Sequence, residues 1–367
     1  MDYLEIEGGS PLCGEVRIQG SKNAVLPILC AALENPGVTV LENCPDISDV
    51  GAMLEILKGY GCRARREGSR LVLDAGSLHS GRAPEDYAGM MRSSIMLLGS
   101  LLARLGEAFL PYPGGCVIGK RPIDIHLQAL RQLKEEPEGL RAVCAHPRGA
   151  RICLPFPSVG ATENVVLLAA RAEGVTVLQN AAREPEIVEL CRFLNSMGAR
   201  IEGAGTGTIR IRGVERLHET KYRIMPDRIV AGTYMLLAAA AGGKIVLKGA
   251  PLEQLRAVRQ VLKQMGVRQE SQGRELFLWC PGRSRGGLAV CTSPYPGFPT
   301  DLQSPLMAAL CLAAGESVIE ERIFESRFKI AEELARMGAD IRIQGSRAEI
   351  RGVERLRGGR LKARELR

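Results

Sequence analysis

The stretch from Pro111 to His126 (Pro-Tyr-Pro-Gly-Gly-Cys116-Val-Ile-Gly-Lys120-Arg121-Pro-Ile-Asp124-Ile125-His126) gathers the residues best suited to chemistry. Pro and Gly build a loop with defined turns and little side-chain bulk. The Lys120-Arg121 pair can meet phosphate, and a guanidinium does so with two parallel hydrogen bonds. A thiol flanked by cations ionises more readily than a buried one. The segment therefore offers acid–base chemistry to an anionic ligand; read alone, it is more readily a surface turn with a chance cysteine.

The elements that position this loop come from an internal repeat of about seventy residues. Each copy opens with an apolar helical pattern, starting near Lys22, Met91, Ser158, Asp227 and Thr300. A Gly and a β-branched strand follow, as in Gly37-Val-Thr-Val-Leu and Gly174-Val-Thr-Val-Leu. A second helix then stops at Gly198, Gly266 or Gly338, where a left-handed cap is expected. Alternating strands such as Thr208-Ile-Arg-Ile-Arg imply sheets covered on one side by helices. A turn recurs too, Gly213-Val-Glu-Arg-Leu and Gly352-Val-Glu-Arg-Leu. Each unit reads helix–strand–helix–strand–strand, an α/β class.

The 367 residues suffice for two domains. A net charge of +8 suits solubility or attraction of an anionic substrate. With 4% aromatic residues and no basic block, nucleic acid is not the expected partner. The 11 cysteines lack C-x-x-C or Cys/His spacing, which argues against disulfides and against a metal site. Cys30, Cys191 and Cys311 fall in apolar helical runs and read as core residues. No signal peptide or bilayer-length apolar run is evident, so a cytoplasmic protein without membrane association is expected.

Several motifs in one order resemble the enolpyruvyl transferase family that acts on UDP-N-acetylglucosamine. They are Gly20-Ser-Lys22-Asn23-Ala, Met91-Arg92-Ser-Ser-Ile, the thiol loop, Ser158-Val159-Gly-Ala-Thr, Asn180-Ala-Ala-Arg-Glu-Pro-Glu186, Pro226-Asp-Arg228-Ile, Phe298-Pro-Thr-Asp301-Leu-Gln and Phe324-Glu-Ser-Arg327-Phe. The resemblance spans essentially the whole chain. It implies an inverse α/β barrel in two domains, each with pseudo-threefold repeats, and an active site in the cleft. The first domain would comprise 1–21 plus 230–367, and the second 22–229 with the thiol loop at 111–122. The implied reaction moves enolpyruvyl from phosphoenolpyruvate to the 3-hydroxyl of UDP-N-acetylglucosamine and releases phosphate, the first committed step of peptidoglycan synthesis. No cofactor and no obligate protein partner are implied.

Carried over, Cys116 is the lid thiol and proton donor, and Asp301 accepts the hydroxyl proton. Lys22 and Asn23 hold phosphoenolpyruvate. Arg92, Arg121, Asp124, Ile125, Ser158, Val159 and Ile323 line the nucleotide-sugar site, and Arg327 and Arg367 surround the small charged substrate. On their own, Lys22 reads as a helix-start cation and Asp301 as a favourable charge in a first turn. Glu186 reads as structural or as lid support, Arg228 as structural, and His126 receives no catalytic role.

Two departures from the family pattern stand out. A sixth repeat is expected where the chain stops at Arg367, and its absence would leave one domain short of a third of its core. The second unit reads as shortened, its second helix ending at Pro137 without a Met-Gly cap. Two readings follow: an enolpyruvyl transferase, or a non-catalytic relative that only binds nucleotide sugar.

Overall fold

The structure, a computed structural model, describes residues 3–79, 92–110, 133–136 and 139–363. They form two compact units: 3–18 with 226–363, and 19–79 with 92–110, 133–136 and 139–225.

The longer unit is built on three buried helices. Lys22–Ala32 is apolar on nearly every face, as a core helix must be. Leu97–Leu105 packs on Val159–Ala169, and Gly99 permits the approach: a Cβ there would lie 2.6 Å from the Asn164 carbonyl oxygen. Asn164, fully buried, pins the pair by accepting from Gly99 N at 2.9 Å and donating to Ile95 O at 3.1 Å. The C-terminal ends of the three helices bring together Glu34, Arg104 and Arg171, and Ser100 donates to Glu34 at 3.4 Å.

Around these helices stand sheets of one recurring order. Val38–Glu42 lies between the parallel strand Thr220–Arg223 and the antiparallel Arg70–Asp74, with Arg63–Glu67 outermost. Val175–Gln179 is flanked likewise by parallel Arg151–Cys153 and antiparallel Thr208–Arg212, then Arg200–Glu202. In the other unit Gly243–Lys248 pairs with parallel Leu12–Arg17 and antiparallel Glu275–Cys280, and Glu316–Glu320 with Ala289–Cys291 and Arg347–Arg351. Helices Arg228–Ala241 and Gln303–Leu312 pack together beneath these two sheets. Gly232 meets the neighbouring turn closely; a Cβ there would lie 2.3 Å from Leu302 Cδ1.

The second helices end as expected. Gly198, Gly266 and Gly338 have φ of 98°, 85° and 92°. At each, the next residue bonds back five positions, as Ala199 N does to Leu194 O at 3.0 Å. The recurring Gly-Val-Glu-Arg-Leu turn needs glycine for contact rather than φ. A Cβ on Gly213 would sit 1.7 Å from Ala172 O, and one on Gly352 would sit 1.5 Å from Ala313 O.

One local expectation is overturned. The residues before Pro137 are not the end of a helix: Leu133–Glu136 is a strand paired with Gly139–Val143, which in turn pairs with Glu107–Leu110. A partner strand with free bonding groups outweighs helical pattern, and Pro137, which lacks an N–H, falls between the two strands. Two helical starts are also tighter than expected. Arg92–Met96 and Thr300–Leu302 are 3-10 turns that lead into the helices at Leu97 and Gln303.

Candidate active site

Within the longer unit, the sequence-derived residues occupy helix starts. Lys22 is the first residue of its helix, behind an extended Ser21 whose hydroxyl caps nothing. That hydroxyl is buried without a hydrogen-bond partner among the described residues. Ser21 N donates to Met225 O at 2.8 Å, which fixes the strand entering the helix. Asn23 follows on the same helix. Arg92 opens the 3-10 turn before Leu97. Ser158 caps the third helix by accepting from Ala161 N at 3.4 Å, and Val159 is that helix's first residue. Each helix start presents free N–H groups and partial positive charge, which suits an anion.

Lys22 forms an ion pair with Asp49, a first-turn residue of helix Ser48–Gly59. The pair is partly open to solvent, with side chains 21% and 29% exposed. Such a pair is a weak restraint, so an incoming anion can replace the carboxylate. Behind the helix starts lies a buried acidic group. Burial pushes the Glu163 carboxyl well up, and the nearby Glu186 and Glu184 raise it further. Glu186 is itself buried in helix Pro185–Ser196. Glu189 of the same helix accepts from Met225 N at 2.8 Å and bonds Tyr222; burial, the larger effect, raises its carboxyl.

In the other unit, Asp301 lies in the turn Thr300–Leu302 and accepts from Arg327 Nη2 at 3.1 Å. Arg327 is 5% exposed, its guanidinium is 5.8 Å from the Phe324 ring centre, and its Nε is buried without an acceptor among the described residues. A buried cation with a spare N–H beside a carboxylate is an arrangement that can take a further anion. Ile323 is half-buried on the loop leading to Arg327. Arg228 is buried over the Tyr295 ring at 5.6 Å, behind the helix cap made by Asp227.

Cys116, Arg121, Asp124, Ile125, His126 and Arg367 lie outside the described residues, as does the rest of the thiol loop.

The EPSP synthase (3-phosphoshikimate 1-carboxyvinyltransferase) family model matches residues 6–367. The chain belongs to this enolpyruvyl transferase family. It is 47% identical over 371 residues to UDP-N-acetylglucosamine 1-carboxyvinyltransferase 2 of Caldanaerobacter subterraneus subsp. tengcongensis, covering 100% of this chain and 89% of that protein. It is 48% identical over 374 residues to UDP-N-acetylglucosamine 1-carboxyvinyltransferase of Nitratidesulfovibrio vulgaris strain DP4, with the same coverages of 100% and 89%. Among solved structures it resembles the enolpyruvyl transferase NikO from Streptomyces tendae, with a TM-score of 0.83 and 24% identity over 95% of this chain and 83% of that one. EPSP synthase from Acinetobacter baumannii is similar at a TM-score of 0.67 and 20% identity, over 94% and 83% of the two chains. These two likenesses are of fold. Among the described residues, no helix is long and apolar enough to cross a membrane.

Three residues that touch the candidate residues or their neighbours within each unit escaped sequence reasoning: Asp49 in the longer unit, and Thr300 and Glu321 in the other. Each matters through a partner distant in sequence or across a turn. Thr300 donates to Glu321 at 2.9 Å, next to Asp301. Only the Phe-Pro-Thr-Asp motif around Thr300 carried a signal.

Proposed function

We propose that this chain transfers the enolpyruvyl group of phosphoenolpyruvate to the 3-hydroxyl of UDP-N-acetylglucosamine, with release of inorganic phosphate. The observation that carries this reading is the 47–48% identity over the whole chain to two proteins named for that activity. Within each unit taken by itself, a cation, Lys22 in one and Arg327 in the other, is compatible with an anionic ligand.

In the addition step the sugar oxygen bonds to C2 of phosphoenolpyruvate. Asp301 takes the hydroxyl proton, and Cys116 supplies a proton to the methylene carbon. In the elimination step that carbon loses a proton, the double bond re-forms and the C2–O bond to phosphate breaks. Lys22 and Arg327 balance the carboxylate and phosphate charges. Arg92, Arg121, Asp124, Ile125, Ser158, Val159 and Ile323 hold the nucleotide sugar, and Asn23 and Arg367 assist with the smaller substrate. Arg327 also aims Asp301 by its charge-assisted bond.

Phosphate release measured with each substrate alone and with both together tests this reading, with mass spectrometry of the nucleotide product. Release that requires both substrates, with an enolpyruvyl ether as product, is expected. Binding of UDP-N-acetylglucosamine without phosphate release would overturn it in favour of a nucleotide-sugar binder.

A further inference from the structure

We infer that Glu321 is a positioning residue that fixes Asp301 and the loop of Ile323 and Arg327 in one arrangement. The inference rests on the proposed transfer reaction for its kinetic consequence, but its geometry stands apart from it. Glu321 follows strand Glu316–Glu320 and is 3% exposed. Its own N–H donates to Ser346 O at 2.8 Å, so its backbone is anchored to the sheet. One carboxylate oxygen accepts from Ile323 N at 2.8 Å and Phe324 N at 3.1 Å. The other accepts the Thr300 hydroxyl at 2.9 Å.

A carboxylate this deeply buried is costly unless donors surround it. Here the donors belong to the two segments that carry site residues. Thr300 immediately precedes Asp301. Ile323 and Phe324 lie on the way to Arg327, whose Nη2 returns to Asp301 at 3.1 Å. The chain thus closes a ring: Glu321 to Thr300 on one side, Arg327 to Asp301 on the other. With only the second tie, the Asp301 carboxylate could move together with the Arg327 side chain. With both, the turn and the loop are held at two points, and the carboxylate direction is set by backbone as well as by its counter-ion. A proton acceptor displaced by about 1 Å loses about 10²-fold in rate while substrate affinity changes little.

Thr300→Val tests this with little change of shape, because it removes one tie and leaves Asp301, Arg327 and the Glu321 turn in place. Glu321→Ala removes both arms. Glu321→Gln keeps an oxygen for the two N–H groups and presents an NH₂ that the Thr300 hydroxyl can turn to accept. The expected result is a fall in kcat of about tenfold for Thr300→Val and about 10²-fold for Glu321→Ala, with KM for UDP-N-acetylglucosamine within about threefold. Glu321→Gln should recover most of the rate. Unchanged kcat in Thr300→Val, or a Gln variant as impaired as the Ala variant, would overturn the inference.

Amide exchange at Leu302, whose N–H bonds Pro299 O at 3.0 Å, supplies a readout independent of turnover. It should quicken in Thr300→Val. If the unaltered protein released no phosphate, the proposed reaction would fall. The ring would then be upheld by faster Leu302 exchange and refuted by an unchanged rate.

Discussion

The two units treat their charged site residues differently. In the longer unit Lys22 stands at a helix start, paired with an Asp49 that remains accessible to water. In the other, Arg327 is buried and its carboxylate partner sits in a turn tied a second time through Thr300 and Glu321. The first arrangement leaves a cation that can exchange partners, which suits binding and release of an anion. The second leaves a carboxylate with a fixed direction, which suits proton transfer. The two carboxylates are about equally open to water, 29% for Asp49 and 27% for Asp301, so what separates the pairs is the cation, 21% exposed in Lys22 and 5% in Arg327, and the second tie through Glu321. The first pair is a reversible placeholder, and the second is a brace.

The strongest way to break this contrast is at the brace. Asp301→Asn keeps the shape and can still face Arg327, but it cannot accept the proton. A loss of kcat of about 10²–10⁴-fold is expected, with the folded structure retained by circular dichroism. A loss under tenfold would remove Asp301 from the chemistry and leave the brace without a purpose.

Thiol reactivity sharpens the contrast next. Burial pushes the Cys191 and Cys311 thiols up to about 12, and burial, with help from Glu163 and Glu34, raises Cys30 well above the ordinary thiol value. Against an ordinary thiol near 8.5, that is about 10³-fold less thiolate at neutral pH. An epoxide phosphonate of the fosfomycin type should therefore alkylate Cys116, which Lys120 and Arg121 follow in the sequence, and spare Cys30, Cys191 and Cys311. Peptide mapping that found Cys30 or Cys191 labelled first would contradict this assignment.

The third effect is on stability, in the buried acidic group behind the helix starts. Glu163 has a carboxyl raised on folding from its ordinary value of 4.5, first by burial and then by Glu186 and Glu184. A group raised in this way binds its proton more tightly when folded. Its contribution is complete below about 4.5 and is lost as pH rises through the folded value. Glu163→Gln should thus flatten the decline of the unfolding midpoint between pH 5 and pH 8. At pH 8 the variant should melt higher, by about 2–4 °C for each 1 kcal/mol recovered. An unchanged slope would locate the wild-type pH dependence elsewhere, with Glu34 and Glu189 the next to test.

Much of this fold was legible in the sequence because its repeat is written in local rules. Gly198, Gly266 and Gly338 mark helix ends by a backbone angle, and Gly213 and Gly352 mark places where two backbones nearly touch. The second unit misled because Leu133–Glu136 takes its conformation from a neighbouring strand rather than from its own pattern. Asn43 and Asn180, at φ of 56° and 52°, end equivalent strands, and each donates to a carbonyl at the flanking parallel strand. Their role was invisible without that neighbour. Lys22, Asp301 and Arg327 were legible only inside their motifs. The residues that hold them, Asp49 and Glu321, are common acids whose meaning depends on a fold bringing 22 beside 49 and 300 beside 321.

The smallest expected effect tests the placeholder itself. If Lys22 holds phosphoenolpyruvate as proposed and the ligand takes the place of Asp49, part of its binding energy offsets the lost pair. Asp49→Asn removes that competitor while keeping a side chain of the same size in the first turn of its helix. An exposed pair contributes about 0–1 kcal/mol, so KM for phosphoenolpyruvate should fall by up to about fivefold, with kcat little changed. Salt screens the wild-type pair, so the difference between the two proteins should narrow as ionic strength rises. Two results would refute the placeholder. A rise in KM would mean that Asp49 orients Lys22 for the ligand rather than occupying it. An equal loss of kcat would mean that the pair, like that of Asp301 and Arg327, is a brace, and the contrast between the two units would disappear.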